Sequence, residues 1–224
     1  INYFDRFGNP TEKPQQKTID SDVTIASIMD NYIQAIGGEK IKSIETLTAN
    51  YQTEMQGMKV NMRNVTTSKN QTLNVISAMG MEFQKTVFDG EKGYNSIQGM
   101  KNELSEDEIK TYKQISYPFP ELFIDENSGF TLAGIENFNG EDAYVLESES
   151  SKTFYSINSG LKLGNTVEIE AGGQQMVQVI TFENYEAFEG IKIPTKMVMD
   201  VGQQMVFDLI DVKFNETIDE AEFQ

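Results

Sequence analysis

Residues 55–94 read MQGMKVNMRNVTTSKNQTLNVISAMGMEFQKTVFDGEKGY, and this stretch decides the predicted fold. Its three extended segments carry apolar residues at alternate positions, which is the period of a half-buried β-strand. Gly57 shifts the phase of this pattern, as a bulge or a turn does, and Asp89-Gly90 is a hairpin turn signal. The stretch therefore predicts consecutive antiparallel strands.

Turn signals recur at short intervals through the second half of the chain. Asn139-Gly140, Asn158-Ser159-Gly160 and Gly172-Gly173 each separate two runs of strand-forming residues. Short hairpin connections make neighbouring strands antiparallel, so the sequence predicts a meander. Roughly ten strands are more than a flat open sheet holds comfortably, and we expect the sheet to curl towards a barrel.

Helical signals are few. Apolar residues at steps of three and four predict a helix over 25–36 that ends at Gly37-Gly38. Ser105 and Glu108 form a capping box, which predicts the start of a second helix. The proline-framed segment 117–123 that follows is a stiff apolar connection and a candidate cover for the sheet. The predicted fold class is α+β and mainly β.

The composition excludes several classes of function. The 18 basic and 35 acidic residues give a net charge of −17, which repels nucleic acid, so we expect no nucleic-acid partner. Histidine and cysteine are absent, which removes imidazole and thiolate metal sites and the common nucleophilic triads. We therefore expect no enzymatic activity, no metal and no cofactor in this chain. No apolar run approaches about 18 residues, so the sequence predicts no membrane span.

The methionines are the most distinctive side chains. Ten of the 11 fall on predicted strands or their turns. Methionine is unbranched and adaptable, and it serves both as a core filler and as the surface of a groove that binds varied apolar partners. Both interpretations remain open at this stage. The candidate residues for a hydrophobic ligand are Met58, Met62, Met79, Met81, Phe83, Tyr94, Met100, Met197 and Met199.

Three stretches carry a family resemblance. Residues 88–94 (FDGEKGY) are a hairpin that enters an aromatic strand, 154–161 (FYSINSGL) are an aromatic strand followed by a Gly-Leu turn, and 212–218 (VKFNETI) are a closing strand. Together they resemble the outer-membrane lipoprotein carrier superfamily, the LolA/LolB-like domains. The order of a first helix, strands, a helical cover and further strands also resembles that family, over about residues 21–224.

This resemblance implies a strongly curved antiparallel sheet, a half-barrel, with helices that cover its concave face. Carriers of this type hold acyl chains in the concavity, without a metal or a nucleotide. The resemblance thus implies a non-catalytic bacterial envelope domain that binds lipid or acyl chains, located in the periplasm, at the outer envelope or outside the cell. The alternative is a structural or docking module whose core fills itself and which takes no ligand.

Residues 1–20 are predicted to be a linker or the tail of a preceding unit, because turn-forming residues prevail there. Within this segment, YFDRFGNP at 3–10 resembles the tail end of bacterial insulinase-like (pitrilysin-type) zinc peptidases. That resemblance implies an upstream peptidase domain as a partner. Any peptidase activity would then lie in that domain, and residues 21–224 would form an appended carrier-like β-domain.

Overall fold

The structure, a computed structural model, describes residues 17–171, 174–200 and 202–224, and the backbone of two short strands before them. These strands, β1 (Tyr3–Phe4) and β2 (Pro10–Thr11), pair with each other inside the segment predicted to be a linker. The side chains on which the peptidase resemblance rests lie outside the described residues. The predicted turn at Gly172-Gly173 also lies outside them.

Within the described ranges, thirteen strands form one antiparallel sheet. In chain order they are β3 (Thr46–Met55), β4 (Met58–Thr67), β5 (Gln71–Ala78), β6 (Met81–Phe88), β7 (Gly93–Ile97), β8 (Met100–Glu103), β9 (Thr131–Phe138), β10 (Glu141–Glu147), β11 (Ser151–Ser156), β12 (Lys162–Ala171), β13 (Gln174–Phe188), β14 (Ile191–Asp200) and β15 (Gln204–Phe214). The helical elements are α1 (Ile25–Ile36), α2 (Glu106–Ile115) and three 3-10 turns, Gly38–Ser43, Pro120–Phe123 and Glu220–Phe223.

The strand order is β8-β7-β6-β5-β4-β3-β15-β14-β13-β12-β11-β10-β9. Within this sheet, strands that are consecutive in the chain pair with each other, except β8 and β9, and a single long-range pairing joins β3 to β15. The two edges, β8 and β9, are consecutive in the chain, and the segment that connects them carries α2. The sheet is antiparallel and mainly β as predicted, it has more strands than the rough expectation, and it is not closed.

Helix α1 packs against one face of the sheet, which we call the helix face. Thr24 caps the helix by accepting a hydrogen bond from the Ser27 backbone N–H, at 3.1 Å. Its buried side chains share a core with Leu146, Tyr155 and Ile193 from three different strands. The predicted 3.6-residue period is thus confirmed as a buried stripe. In the described ranges, no helix is long and apolar enough to cross a membrane.

Helix α2 begins at the predicted capping box. Ser105 accepts a hydrogen bond from the Glu108 N–H, and the Glu108 carboxylate accepts one from the Ser105 N–H. Tyr112 stacks on Phe88, with ring centroids 5.7 Å apart. The pairing of β3 to β6 places Phe88 on the same face as Leu47, which packs against the core beneath α1. Both helices therefore contact the helix face.

The opposite face carries its own apolar groups. Val65, Leu73 and Val87 from adjacent strands pack with Phe223 from the last 3-10 turn. An ion pair between Arg63 and Glu222 holds the same C-terminal turn against the sheet. Residues 215–224 thus cover the first strands from the side away from α1.

Candidate functional site

A cluster of apolar side chains lies on the helix face, beside α1. It comes from five strands that are adjacent in the sheet, β5, β4, β3, β15 and β14. We call it the methionine cluster, and its members are Ala49, Tyr51, Met62, Ile76, Met197, Met199, Met205, Phe207 and Leu209. Every member is a strand residue, and in the described part of the chain no helical residue belongs to it.

The strand register explains why these side chains meet. Tyr51 lies opposite Met62, and Met62 lies opposite Ile76. On the other side of β3, Met197 lies opposite Phe207, and Met199 lies opposite Met205. Directly opposite residues of an antiparallel pair share a face, so these pairs form one continuous apolar stripe.

The cluster is not a closed core throughout. Met62 exposes 6% of its surface, like the packed Met29 of α1 at 2%. Met197, Met199 and Met205, however, are only half-buried. Side chains in a closed core are almost fully buried, so these three methionines are not part of one. The cluster therefore has a packed floor, which includes Met62, and a partly exposed side formed by unbranched methionine side chains.

A group of buried polar side chains borders the methionine cluster. The carboxylate of Glu121, from the 3-10 turn after α2, forms an ion pair with the ammonium of Lys162 on β12. Glu121 is 3% exposed and Lys162 is 21% exposed at the side chain. Tyr32, Tyr155 and Tyr185 complete what we call the polar cluster. Tyr185 donates a hydrogen bond to the Lys162 carbonyl at 2.8 Å, and the rings of Tyr32 and Tyr155 meet edge to face at 5.5 Å.

Burial is the main cause of the raised pKa values of these three tyrosines. It raises the pKa of Tyr32, Tyr155 and Tyr185 well above the ordinary value, and the nearby Glu121 carboxylate raises each pKa further. All three hydroxyls therefore stay protonated at any physiological pH. They serve as neutral hydrogen-bonding groups around one charged pair.

The two clusters are in contact through one ring. The Lys162 Nζ lies 5.6 Å from the ring centroid of Phe182, and Phe182 lies opposite Met197 in the sheet. The arrangement is an apolar surface with a few fixed polar groups at one side. Sites for small apolar ligands commonly have this composition.

Tyr51 provides a test of how tightly the floor of the methionine cluster is closed. Burial raises its pKa to about 12, whereas the unfolded chain titrates near the ordinary value of 10. Between those pH values only the unfolded state loses the proton, so the free energy of unfolding falls, by roughly 2–3 kcal/mol for this group. We expect Tyr51→Phe to flatten the loss of stability from pH 10 to 12, measured by urea unfolding. Equal slopes for parent and variant would mean that Tyr51 is open to water.

The structure divides the residues predicted for a hydrophobic ligand into three groups. Met62, Met197 and Met199 meet in the methionine cluster. Tyr94 lies on the opposite face, against the cluster of Val65, Leu73 and Val87. The remaining residues are exposed at or beside hairpin turns at one end of the sheet, namely Met58, Met79, Met81, Phe83 and Met100.

Sequence reasoning missed several members of the site. Tyr51, Met205 and Phe207 stand in alternating strand segments, so their period signals a buried face but not which strands are adjacent. Glu121 and Lys162 are 41 positions apart and have no local signal that joins them. The one sequence feature that points to this pair is the acidic residue Glu121 inside the otherwise apolar segment 117–123.

The cavities of the described ranges open mainly on the opposite face or at its border, and two of them exceed 400 Å³. One of about 410 Å³ is lined by Asn50, Asn61, Arg63 and further polar groups of the first strands. Another, of about 720 Å³, lies between Tyr94, α2 and the C-terminal turn. Its lining combines apolar side chains (Val87, Leu104, Ile109 and Phe223) with lysine and carboxylate side chains. Both cavities contain charged side chains of both signs, and an acyl chain bound there would remove water from them at a cost in free energy.

Comparisons with known proteins agree on the fold. No protein-family model matches the sequence, and no curated protein sequence is significantly similar to it. Among solved structures, a LolA superfamily protein from Nitrosomonas europaea matches with a TM-score of 0.58 at 14% identity, over 90% of this chain and 98% of that one. A DUF1329 family protein from Desulfovibrio piger matches with a TM-score of 0.52 at 14% identity, over 90% and 97%.

The chain therefore has a LolA-like fold. The likeness covers nearly all of both chains, so it is not confined to a few hairpins. At this level of sequence identity the likeness is one of fold.

Proposed function

We propose that this chain is a non-catalytic bacterial envelope domain that binds a lipid or an acyl chain on the helix face. The observation that carries the proposal is the methionine cluster, an apolar stripe five strands wide to which no helix in the described ranges contributes a residue. A sheet that is apolar on one face must bury that face against something. An acyl chain supplies such a cover.

The width of the stripe and the flexibility of its side chains also support an acyl chain as the ligand. Five adjacent strands span about 19 Å across the sheet. The half-buried Met197, Met199 and Met205 present flexible thioethers, which adapt to a chain without a fixed shape. The polar cluster at one side then provides groups that orient a headgroup or an ester.

The connection between the two sheet edges supports a concave helix face. Tyr112 contacts β6 through Phe88, and Glu121, nine residues later, contacts β12 through Lys162. Nine extended residues span at most about 30 Å, and helical residues span less. The strands β6 and β12 are seven positions apart, which in a flat sheet is about 33 Å. A sheet curved around the helix face would shorten this span, and the methionine cluster would then be the wall of a groove.

Lipid binding is tested directly by titration. The protein is unfolded, washed free of lipid, refolded, and titrated with a fluorescent fatty acid. We expect saturable binding with about one site per chain, and competition by unlabelled palmitate. A linear, non-saturating signal from a protein whose circular dichroism and unfolding curve are native would contradict the proposal.

A structural or docking module remains the second candidate. The observation in its favour is that Tyr51, Met62 and Phe207 are already buried without a ligand. In that case the half-buried methionines would contact another domain. Failure of the titration together with a stable complex with a neighbouring domain would support this candidate.

The setting of the domain is also part of the proposal. The LolA-like fold supports a place in the bacterial envelope, and the resemblance of residues 3–10 to the tail of pitrilysin-type peptidases supports an upstream peptidase unit. Cell fractionation tests the first statement, and the coding sequence before Ile1 tests the second. An upstream sequence without an H-x-x-E-H motif would contradict the peptidase attachment.

A further inference from the structure

Three hairpin turns at one end of the sheet carry exposed apolar side chains. In an antiparallel meander every second turn lies at the same end, so the turns β3–β4, β5–β6 and β7–β8 share one end. We call residues 55–58, 78–81 and 97–100 the hairpin tips. Their exposed fractions are Met55 42%, Met58 45%, Met79 77%, Met81 60%, Ile97 51% and Met100 68%.

The three tips share one geometry. Each is a two-residue turn with positive φ at both central positions, Gln56-Gly57, Met79-Gly80 and Gln98-Gly99. Turns of this kind usually take asparagine or aspartate before the glycine. The residues that flank each turn lie opposite one another, as Met55 does with Met58 and Ile97 does with Met100. The β3–β4 and β7–β8 tips therefore project an apolar pair from a tight turn. The β5–β6 tip projects Met79 from the turn itself and Met81 beside it, because Ala78, which lies opposite Met81, is buried.

The same strands end differently on the other side. There the connections β4–β5 and β6–β7 are Ser68-Lys69-Asn70 and Asp89–Lys92, which are polar and charged. The apolar tips are therefore a property of one end. Neighbouring tips are two strands apart, so the row extends over about 20 Å.

Charge also distinguishes the tips from the rest of the protein. The whole chain carries −17, yet the charges beside the tips cancel. They are Glu54, Lys59, Glu82 and Lys101. An acidic protein is repelled by an anionic lipid surface, and the repulsion is weakest where the local charge is zero.

We infer that the hairpin tips are a membrane-docking edge, which enters the headgroup layer of a lipid bilayer. Exposed apolar side chains on separate protruding turns penetrate a fluid interface, whereas a protein partner would select a continuous surface with Trp, Tyr or Arg at its centre. The inference goes beyond the proposed function and does not depend on it. If both hold, a ligand enters at this end, because Met199 and Met205 lie beside the β14–β15 turn at the same end.

Vesicle flotation tests the docking edge. Lipid-free protein is mixed with vesicles of phosphatidylcholine, or of equimolar phosphatidylethanolamine and phosphatidylglycerol. We expect binding to both, and on the anionic vesicles we expect it to increase from about 0.1 M to 1 M salt as repulsion is screened. Binding that decreases with salt, or no binding at all, would overturn the inference.

Substitutions at the tips separate docking from folding. Met58→Thr, Met79→Asn and Met100→Thr introduce polar residues that suit a strand or a left-handed turn, and together they should weaken partitioning about tenfold or more. The matched control, Ile157→Thr with Ile210→Thr, changes exposed apolar residues away from the tips and should bind as the parent does. Equal binding by the tip variant and the control would refute the assignment.

A single tryptophan locates the contact. The chain has no tryptophan, so Met100→Trp and Ile210→Trp each give one unambiguous fluorophore. We expect vesicles to shift the emission of the first to the blue and to leave the second unchanged. A concentration-dependent dimer that the tip variant abolishes, with no vesicle-induced shift at Met100→Trp, would instead make the tips a contact between copies of this chain and overturn membrane docking.

Discussion

Lys162→Met is expected to destabilise the protein by about 3–5 kcal/mol at neutral pH. The substitution keeps the volume of the side chain but leaves the Glu121 carboxylate, which is 3% exposed, without its cation. The neighbouring tyrosine hydroxyls remain, and they cannot supply the lost charge. Urea unfolding at pH 7 measures the effect.

The control is the double variant Glu121→Leu/Lys162→Met. An apolar pair of similar volume often replaces a buried ion pair at little or no cost, since neither charge then has to be desolvated. We expect the double variant to unfold within about 1 kcal/mol of the parent. If Lys162→Met were as stable as the parent, the pair would be accessible to water, and the segment 117–123 would not be held against β12.

Met197→Asn with Met199→Asn is expected to weaken fatty-acid binding about 30- to 100-fold. Both methionines are half-buried without a ligand, and the ligand would bury the rest. Loss of that burial at two positions corresponds to roughly 2–3 kcal/mol. The fluorescent titration of the lipid-free protein measures the change.

The matched control again replaces exposed apolar residues, Ile157→Asn with Ile210→Asn, and should bind as the parent does. The unfolding curve of each variant shows that the fold is intact. Equal affinity of the methionine double variant and the parent would contradict the proposed site. It would favour a ligand on the opposite face, or the docking-module alternative.

Local features of this fold can be predicted from the sequence because short-range rules govern them. The Ser105–Glu108 pair needs only three residues to form its two hydrogen bonds, and it opens α2 as expected. Asp89-Gly90 turns the chain from β6 into β7 for the same kind of reason, with the Asp89 side chain accepting from the Glu91 and Lys92 N–H groups.

Long-range pairing has no such local signal. Strand β3 pairs with β15, and Leu47 lies opposite Phe214. Nothing in the residues of either strand distinguishes this partner from another apolar strand. The Glu121–Lys162 ion pair depends on the same global arrangement. The LolA resemblance indicated the architecture, but no pattern in the residues specified which strands would be adjacent.

The methionines show the same limit within the candidate site. Met62 and Met81 both belong to strands and carry the same side chain, yet one is 6% and the other 60% exposed. The alternation of a strand determines which residues share a face. It does not determine how close a residue lies to the end of the sheet. That position is what distinguishes the methionines of the methionine cluster from those of the hairpin tips.

The most direct test of a ligand site on the helix face uses the methionines themselves. Labelling with ¹³C at the methyl group gives one signal for each of the 11 methionines, which single substitutions assign. On addition of palmitate to lipid-free protein, we predict that the signals of Met62, Met197, Met199 and Met205 move. The signal of Met29, which is buried on the sheet-facing side of α1, should stay in place. Saturable binding that leaves those four signals unmoved would contradict a ligand site in the methionine cluster.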